Sequence, residues 1–147
     1  MVWGCMSSSG VGNLVFIEGI MDRFYYKRIL AENLGQSKNK LGLPDHFVFQ
    51  QDNDPKHTSN YVKEFFKNRY RVLEWPSQSP DLNPIEHLWD HVKREVRKHA
   101  PKTKNQLKET LIQIWNEITP DICRSLVYSM PKRLEEVSRA KGKYTSF

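Results

Sequence analysis

Two acidic side chains, Asp52 and Glu86, have the type and setting that phosphate-ester chemistry needs. Asp52 follows His46-Phe47-Val48-Phe49-Gln50-Gln51, a β-branched and aromatic run of strand length, so a strand delivers it at its end. Glu86 follows Asn83-Pro84-Ile85, a helix start with proline in the first position, so it lies in a first turn. Magnesium takes hard oxygen ligands in near-octahedral geometry, and two such ions about 4 Å apart can activate an attacking oxygen and stabilise a leaving one. Carboxylates brought from separate elements therefore suit metal-assisted phosphodiester cleavage. Each acid also has a structural reading: Asp52 can end a strand through an Asx-type turn, and Glu86 stands where a capping-box glutamate would. Asp90, four residues after Glu86, shares its helix face, and the two acids repel unless a cation or the helix N-terminus compensates.

The neighbouring residues divide in the same way. Asp54-Pro55 reads as a helix cap followed by a first-turn proline, ahead of the apolar face Tyr61, Val62, Phe65 and Phe66. His57 can touch a scissile phosphate, or be a solvent-exposed histidine at a helix start. Lys93 and Arg97 project on Glu86's side of its helix, where they can hold DNA phosphates or pair within the helix. His87 and His91 have the spacing of a helical zinc pair, but no further histidine or cysteine ligand accompanies them and zinc is not expected. Trp75, Trp89 and Trp115 fall within apolar patterns, which favours core packing over base stacking. Cys5 and Cys123 lie far apart and form no C-x-x-C pair, so buried thiols are expected rather than a disulfide or a zinc ribbon.

The elements that must position these residues can be read from period and punctuation. Val2–Met6 and Asn13–Ile17 are short apolar runs around Ser7-Ser8-Ser9-Gly10-Val11-Gly12, a hairpin pattern. A helix is predicted from Met21 to about Leu34, ended by the polar Gly35–Lys40 stretch with Gly42 and Pro44. The His46–Gln51 strand is expected to be buried on both faces. Arg71–Trp75 reads as a further strand, and Pro76-Ser77-Gln78-Ser79-Pro80 as a redirecting loop. From Pro84, Ile85, Leu88, Trp89, Val92 and Val96 make one apolar stripe. Thr103-x-x-Gln106 opens another helix as a capping box, with Leu107, Leu111, Ile114, Trp115 and Ile118 facing inward until Thr119-Pro120. Short helical pieces at Ile122–Tyr128 and Pro131–Ala140 follow. The order points to an α/β fold, a mixed sheet covered by helices, in one domain over residues 1–147.

Charge is concentrated. The 147 residues carry a net +6, and the segment from Val92 to Lys108 holds seven basic residues against Glu95 alone, so the rest is neutral on balance. A localised positive segment suits a polyanion partner, with a solvated helix face as the plain alternative. The 38% hydrophobic and 27% charged content is that of a folded globular chain rather than a disordered one. No apolar run approaches the roughly 18 residues of a membrane helix, and Met1-Val2-Trp3-Gly4-Cys5 lacks the features of a secretory signal; an intracellular protein without a membrane partner is expected.

Residues 49–59, Phe-Gln-Gln-Asp-Asn-Asp-Pro-Lys-His-Thr-Ser, and residues 73–89, Leu-Glu-Trp-Pro-Ser-Gln-Ser-Pro-Asp-Leu-Asn-Pro-Ile-Glu-His-Leu-Trp, resemble the two signature blocks of transposases on the Tc branch of the mariner superfamily. The Val-Trp-Gly-Cys and Gly-Val-Gly-Asn-Leu segments and the closing Pro-Lys-Arg-Leu match as well, so the resemblance covers nearly the whole chain. It implies a ribonuclease-H-like fold and a catalytic acidic triad whose second and third members are Asp52 and Glu86, working with Mg2+ or, in its place, Mn2+. It also implies double-stranded DNA as partner, both transposon ends and target, allows a homodimer, and points to the nucleus, where the Lys93–Lys104 cluster can serve as an import signal. The family's first aspartate and its strand precede the Val-Trp-Gly-Cys segment, as do the helix-turn-helix modules, so this chain is expected to be a partial domain without the first strand, cleaving DNA poorly or not at all by itself. Thirty-three residues separate Asp52 and Glu86, one fewer than is usual on this branch. The rival expectation is a non-catalytic product that binds DNA or associates with intact transposase.

Overall fold

A computed structural model describes residues 1–75 and 82–139. Its elements are β1 (Val2–Ser7), β2 (Gly10–Phe16), α1 (Arg23–Lys40), β3 (Val48–Phe49), α2 (Asn60–Phe66), β4 (Arg71–Val72), α3 (Pro84–His99), α4 (Lys104–Glu117), α5 (Pro120–Tyr128) and α6 (Met130–Arg139). The chain forms two compact units, one of Met1–Gly4 with residues 12–75, the other of Cys5–Val11 with residues 82–139. The α/β character expected from the sequence holds, with the described strands in two pairs, β1 with β2 and β3 with β4.

In the first unit the N–H of Ile17 donates to the Met1 carbonyl at 2.9 Å and closes the open end of the hairpin. Asp22 caps α1, its carboxylate accepting the Tyr25 N–H at 2.8 Å. The helix runs on to Lys40 instead of ending near Leu34, because its polar last turns are used by the hairpin. Ser37 Oγ accepts the Asn13 N–H at 2.9 Å, and the Asn13 amide donates to Asn33 Oδ1 at 3.1 Å and Gln36 Oε1 at 3.0 Å. Those tertiary bonds outweigh the poor helix propensity of Gly35. Gly42, with φ +63°, then supplies the left-handed turn that stops the helix.

β3 and β4 are parallel, Val48 opposite Arg71 and Phe49 opposite Val72, with α2 as the crossover that parallel strands require. β3 is only two residues long, and Val48 is 45% exposed, so the expected two-faced burial does not occur. Phe47 and Phe49 turn to the core, where the Phe49 ring stacks on Phe66 at 5.5 Å. β4 is likewise shorter than Arg71–Trp75, although the Leu73 N–H still reaches the Phe49 carbonyl at 2.8 Å. The predicted Pro76–Pro80 loop lies outside the described residues. Ile17, Met21, Tyr26, Ile29, Leu30 and Leu34 join Val62, Phe65 and Phe66 in one buried cluster.

In the second unit α3 begins at Pro84 as its sequence predicts and buries Leu88 and Val92, packing against α4 and α5. Trp89 and Trp115 stack with centroids 5.0 Å apart, and Trp115 is buried, which bears out core packing for this pair. The Thr103–Gln106 capping box is present. Leu107, expected to face inward, is 38% exposed because it lies in the first turn of α4, ahead of the buried pair Ile114 and Trp115. Thr119 caps α5 with Pro120 in its first turn.

Candidate functional site

Beyond β3 the chain turns sharply, and local hydrogen bonds set that turn. Asp52 Oδ1 accepts the Asp54 N–H at 3.1 Å and also meets His57 Nδ1, so the Asx-type turn foreseen for Asp52 is formed. Asp54 Oδ1 accepts the Lys56 N–H at 2.9 Å, and its backbone carbonyl accepts from the N–H groups of His57 at 2.8 Å and Thr58 at 3.1 Å. Asp54 therefore caps a turn and not a helix; α2 starts later, under Ser59, whose Oγ accepts the Val62 N–H. Lys56, His57 and Thr58 bond back to Asp54 first, which is why the Asp-Pro signal misplaces the helix start. Burial pushes the Asp54 carboxyl up, but the Lys56 backbone N–H, the Lys56 ammonium and nearby His57 outweigh it and hold the pKa below the ordinary carboxylate value.

The Asp52 side chain remains 51% exposed. Both of its contacts fall on Oδ1, so Oδ2 is the oxygen offered to a ligand. Asp52 lines a cleft of about 390 Å³ together with Asn53, Lys63, Lys67, Tyr70 and Trp75. The Asn53 amide ties this turn to the Trp75 carbonyl at 2.6 Å. His57 departs from the exposed helix-start reading: its side chain is 15% exposed and its ring lies 4.0 Å from that of Tyr26.

Glu86 is exposed in the first turn of α3, as predicted, with its N–H donating to the Asn83 carbonyl at 3.1 Å. Asp90, one turn on, is compensated by Lys93 at 3.2 Å, so the within-helix pairing weighed for Lys93 is formed. Arg97 is exposed in the last turn of α3. His87 Nε2 meets the guanidinium of Arg133, a group that only donates, so this nitrogen acts as an acceptor and not as half of a zinc pair. Among the described residues no group of three or more His, Cys, Asp and Glu side chains converges as a preformed metal centre. Asp52 belongs to the first unit and Glu86 to the second. Each presents an exposed hard oxygen donor, the ligand type that magnesium or manganese takes, so the residues fit such an ion.

Sequence reasoning missed Tyr26 and Gln51. The Tyr26 hydroxyl donates to Gln51 Oε1 at 2.8 Å, and Gln51 Nε2 donates to the His57 carbonyl at 3.0 Å. Tyr26 and Gln51 are 25 positions apart in the sequence, beyond the reach of any local spacing rule.

The architecture is a ribonuclease-H-like one. It matches the Mos1 transposase catalytic domain, solved with raltegravir and Mg, at a TM-score of 0.82, over 99% of this chain and 75% of that one; the 21% identity makes this a likeness of fold, the ribonuclease-H-like one that the sequence implied. Residues 13–108, which include Asp52 and Glu86, match the family described as DDE superfamily endonuclease, and the chain belongs to that family. It is 47% identical over 148 residues to the Tcb2 transposable element transposase of Caenorhabditis briggsae and 42% identical over 153 residues to the Tc1 transposable element transposase of Caenorhabditis elegans. Each alignment covers all of this chain and 54% of the relative, so the chain spans about half the length of the curated relatives it matches.

Proposed function

We propose that residues 1–147 form part of a DNA-transposing catalytic domain in which Asp52 and Glu86 jointly hold Mg2+, or Mn2+ in its place, for cleavage of DNA ends and strand transfer. The observation that carries this reading is the family match across 13–108, together with an Asp52 carboxylate fixed through one oxygen and open at the other. When bound, the metal supplies activation of an attacking oxygen and stabilisation of the leaving one. The chain's own residues hold and orient. The Asp54 N–H and His57 fix the Asp52 rotamer, and α3 presents Glu86 from a turn whose N-terminus favours negative charge. Lys93 and Arg97 lie further along α3 and serve double-stranded DNA by phosphate contact; the exposed Lys93–Asp90 pair is worth little and exchanges readily for a phosphate. With two DNA ends to process, a homodimer is the assembly this reading takes, and its place of action is the nucleus. No described helix is long and apolar enough to cross a membrane.

Two assays on the purified chain test this. Nicking of supercoiled plasmid in Mg2+ or Mn2+ should be weak and should vanish in Asp52→Asn. Binding to a duplex of arbitrary sequence should weaken with salt, and Lys93→Glu or Arg97→Glu should each reduce the slope of log K against log salt by about 1. Salt-sensitive binding that survives Glu86→Gln, with no nicking by any variant, would favour the non-catalytic DNA-binding product that the basic Val92–Lys108 segment also suits. Turnover of a generic small phosphodiester with indifference to DNA would contradict both readings.

A further inference from the structure

The imidazole of His57 lies between the carboxylate of Asp52 and the ring of Tyr26, whose centroid is 4.0 Å away with a 31° tilt. Tyr26 is a core residue of α1, only 2% exposed. Through its hydroxyl and the Gln51 amide it also fixes the backbone carbonyl of His57, while the Asp54 carbonyl accepts the His57 N–H. Ring and backbone of His57 are thus both anchored to the core, independently of Asp52.

We propose that His57 is a positioning residue for Asp52: its Nδ1–H, held in place by Tyr26 and Gln51, locks one carboxylate oxygen so that the other is presented to a divalent cation. This rests on the reading of Asp52 as a metal ligand. Nδ1 faces a carboxylate, an acceptor, so the proton sits on Nδ1. Nε2 is buried without a hydrogen-bond partner among the described residues, which suits a bare lone pair there. Oδ1 then receives two donors, the imidazole and the Asp54 N–H at 3.1 Å, and the carboxylate, although half exposed, is held in a single rotamer. Groups that orient a metal ligand in this way typically change metal affinity by about 10- to 100-fold.

The proposal separates hydrogen bonding from packing, and two variants of the whole chain do the same. His57→Phe keeps a ring against Tyr26 and loses the donor; His57→Asn loses the ring and places an amide N–H close to where Nδ1 was. Mn2+ titrations followed by the electron paramagnetic resonance signal of free Mn2+ should show a Kd about 10-fold or more higher for His57→Phe, with most of the affinity returning in His57→Asn. Melting temperatures should rank the two the other way, the phenylalanine variant above the asparagine one. If Mn2+ affinity follows the melting temperatures, or if His57→Phe binds like the parent, the proposal is overturned. Asp52→Asn distinguishes the two levels of inference. Mn2+ binding that depends on Asp52 but not on His57 defeats this proposal alone, whereas binding indifferent to Asp52→Asn defeats the metal reading and this proposal with it. Long-range 15N spectra of the imidazole should show the Nδ1–H tautomer in the parent and a shift toward Nε2–H in Asp52→Asn; no shift would contradict the contact itself.

Discussion

Leu88 and Glu86 are two residues apart on α3, and substitutions at them should have opposite consequences. Leu88 is fully buried where α3 packs on α4 and α5, whereas Glu86 is exposed. Leu88→Ala removes three carbons from water-free surroundings, worth about 0.8 kcal/mol each in transfer alone. The cavity left behind raises the loss to about 3–4 kcal/mol. For a chain of 147 residues, 1 kcal/mol corresponds to roughly 2–4 °C in melting temperature, so a fall of about 6–16 °C is expected. Glu86→Gln gives up only the favourable position of a carboxylate near a helix N-terminus, at most about 1 kcal/mol. Thermal melts by circular dichroism, paired with Mn2+ titrations at 10 °C, read both properties. Leu88→Ala should melt early yet bind Mn2+ like the parent, and Glu86→Gln should melt nearly normally with its Mn2+ affinity lost. A Leu88→Ala melt within 2 °C of the parent, or a Glu86→Gln melt as low as that of Leu88→Ala, would refute the assignment of packing to one residue and chemistry to the other.

Further outcomes follow at Cys123, Tyr26 and Thr103. Burial pushes the Cys123 thiol above its ordinary value of 9.0, so at pH 8 a thiol reagent should modify Cys5 quickly and Cys123 only on unfolding. Because the folded pKa is the higher one, the stability from the neutral thiol is present below pH 9.0 and lost as pH rises through the folded value; Cys123→Ala should flatten that decline in melts between pH 8 and 11. Tyr26→Phe removes the hydroxyl bonded to Gln51 and should cost about 1 kcal/mol in denaturant unfolding. Thr103→Ala breaks the capping box of α4 and should cost a similar amount, about 1 kcal/mol, with Mn2+ binding unchanged in the same titration.

What could be read from the sequence was what short-range chemistry decides. Asn83-Pro84 marked the start of α3 and Thr103-x-x-Gln106 that of α4, because caps and first-turn prolines act within a few residues. The first-turn place of Glu86 followed from the start of α3, and the Asx-type turn at Asp52 from the residue type at a strand end. Long-range bonds were out of reach. The extension of α1 to Lys40 depends on Asn13 reaching Asn33, Gln36 and Ser37. The departure of His57 from a solvent-exposed position depends on Tyr26, which shares no pattern with it. Asp54 misled because aspartate before proline suits a turn and a helix start equally well, and here the turn came first.

The central claim is that Asp52 and Glu86 serve one divalent cation, and a double-mutant cycle on Mn2+ affinity tests it most directly. If they share the ion, Asp52→Asn and Glu86→Gln should each weaken binding sharply, and the double variant should be little worse than the weaker-binding single one. Mn2+ affinity untouched by either substitution, or two losses that simply multiply as at independent sites, would contradict it.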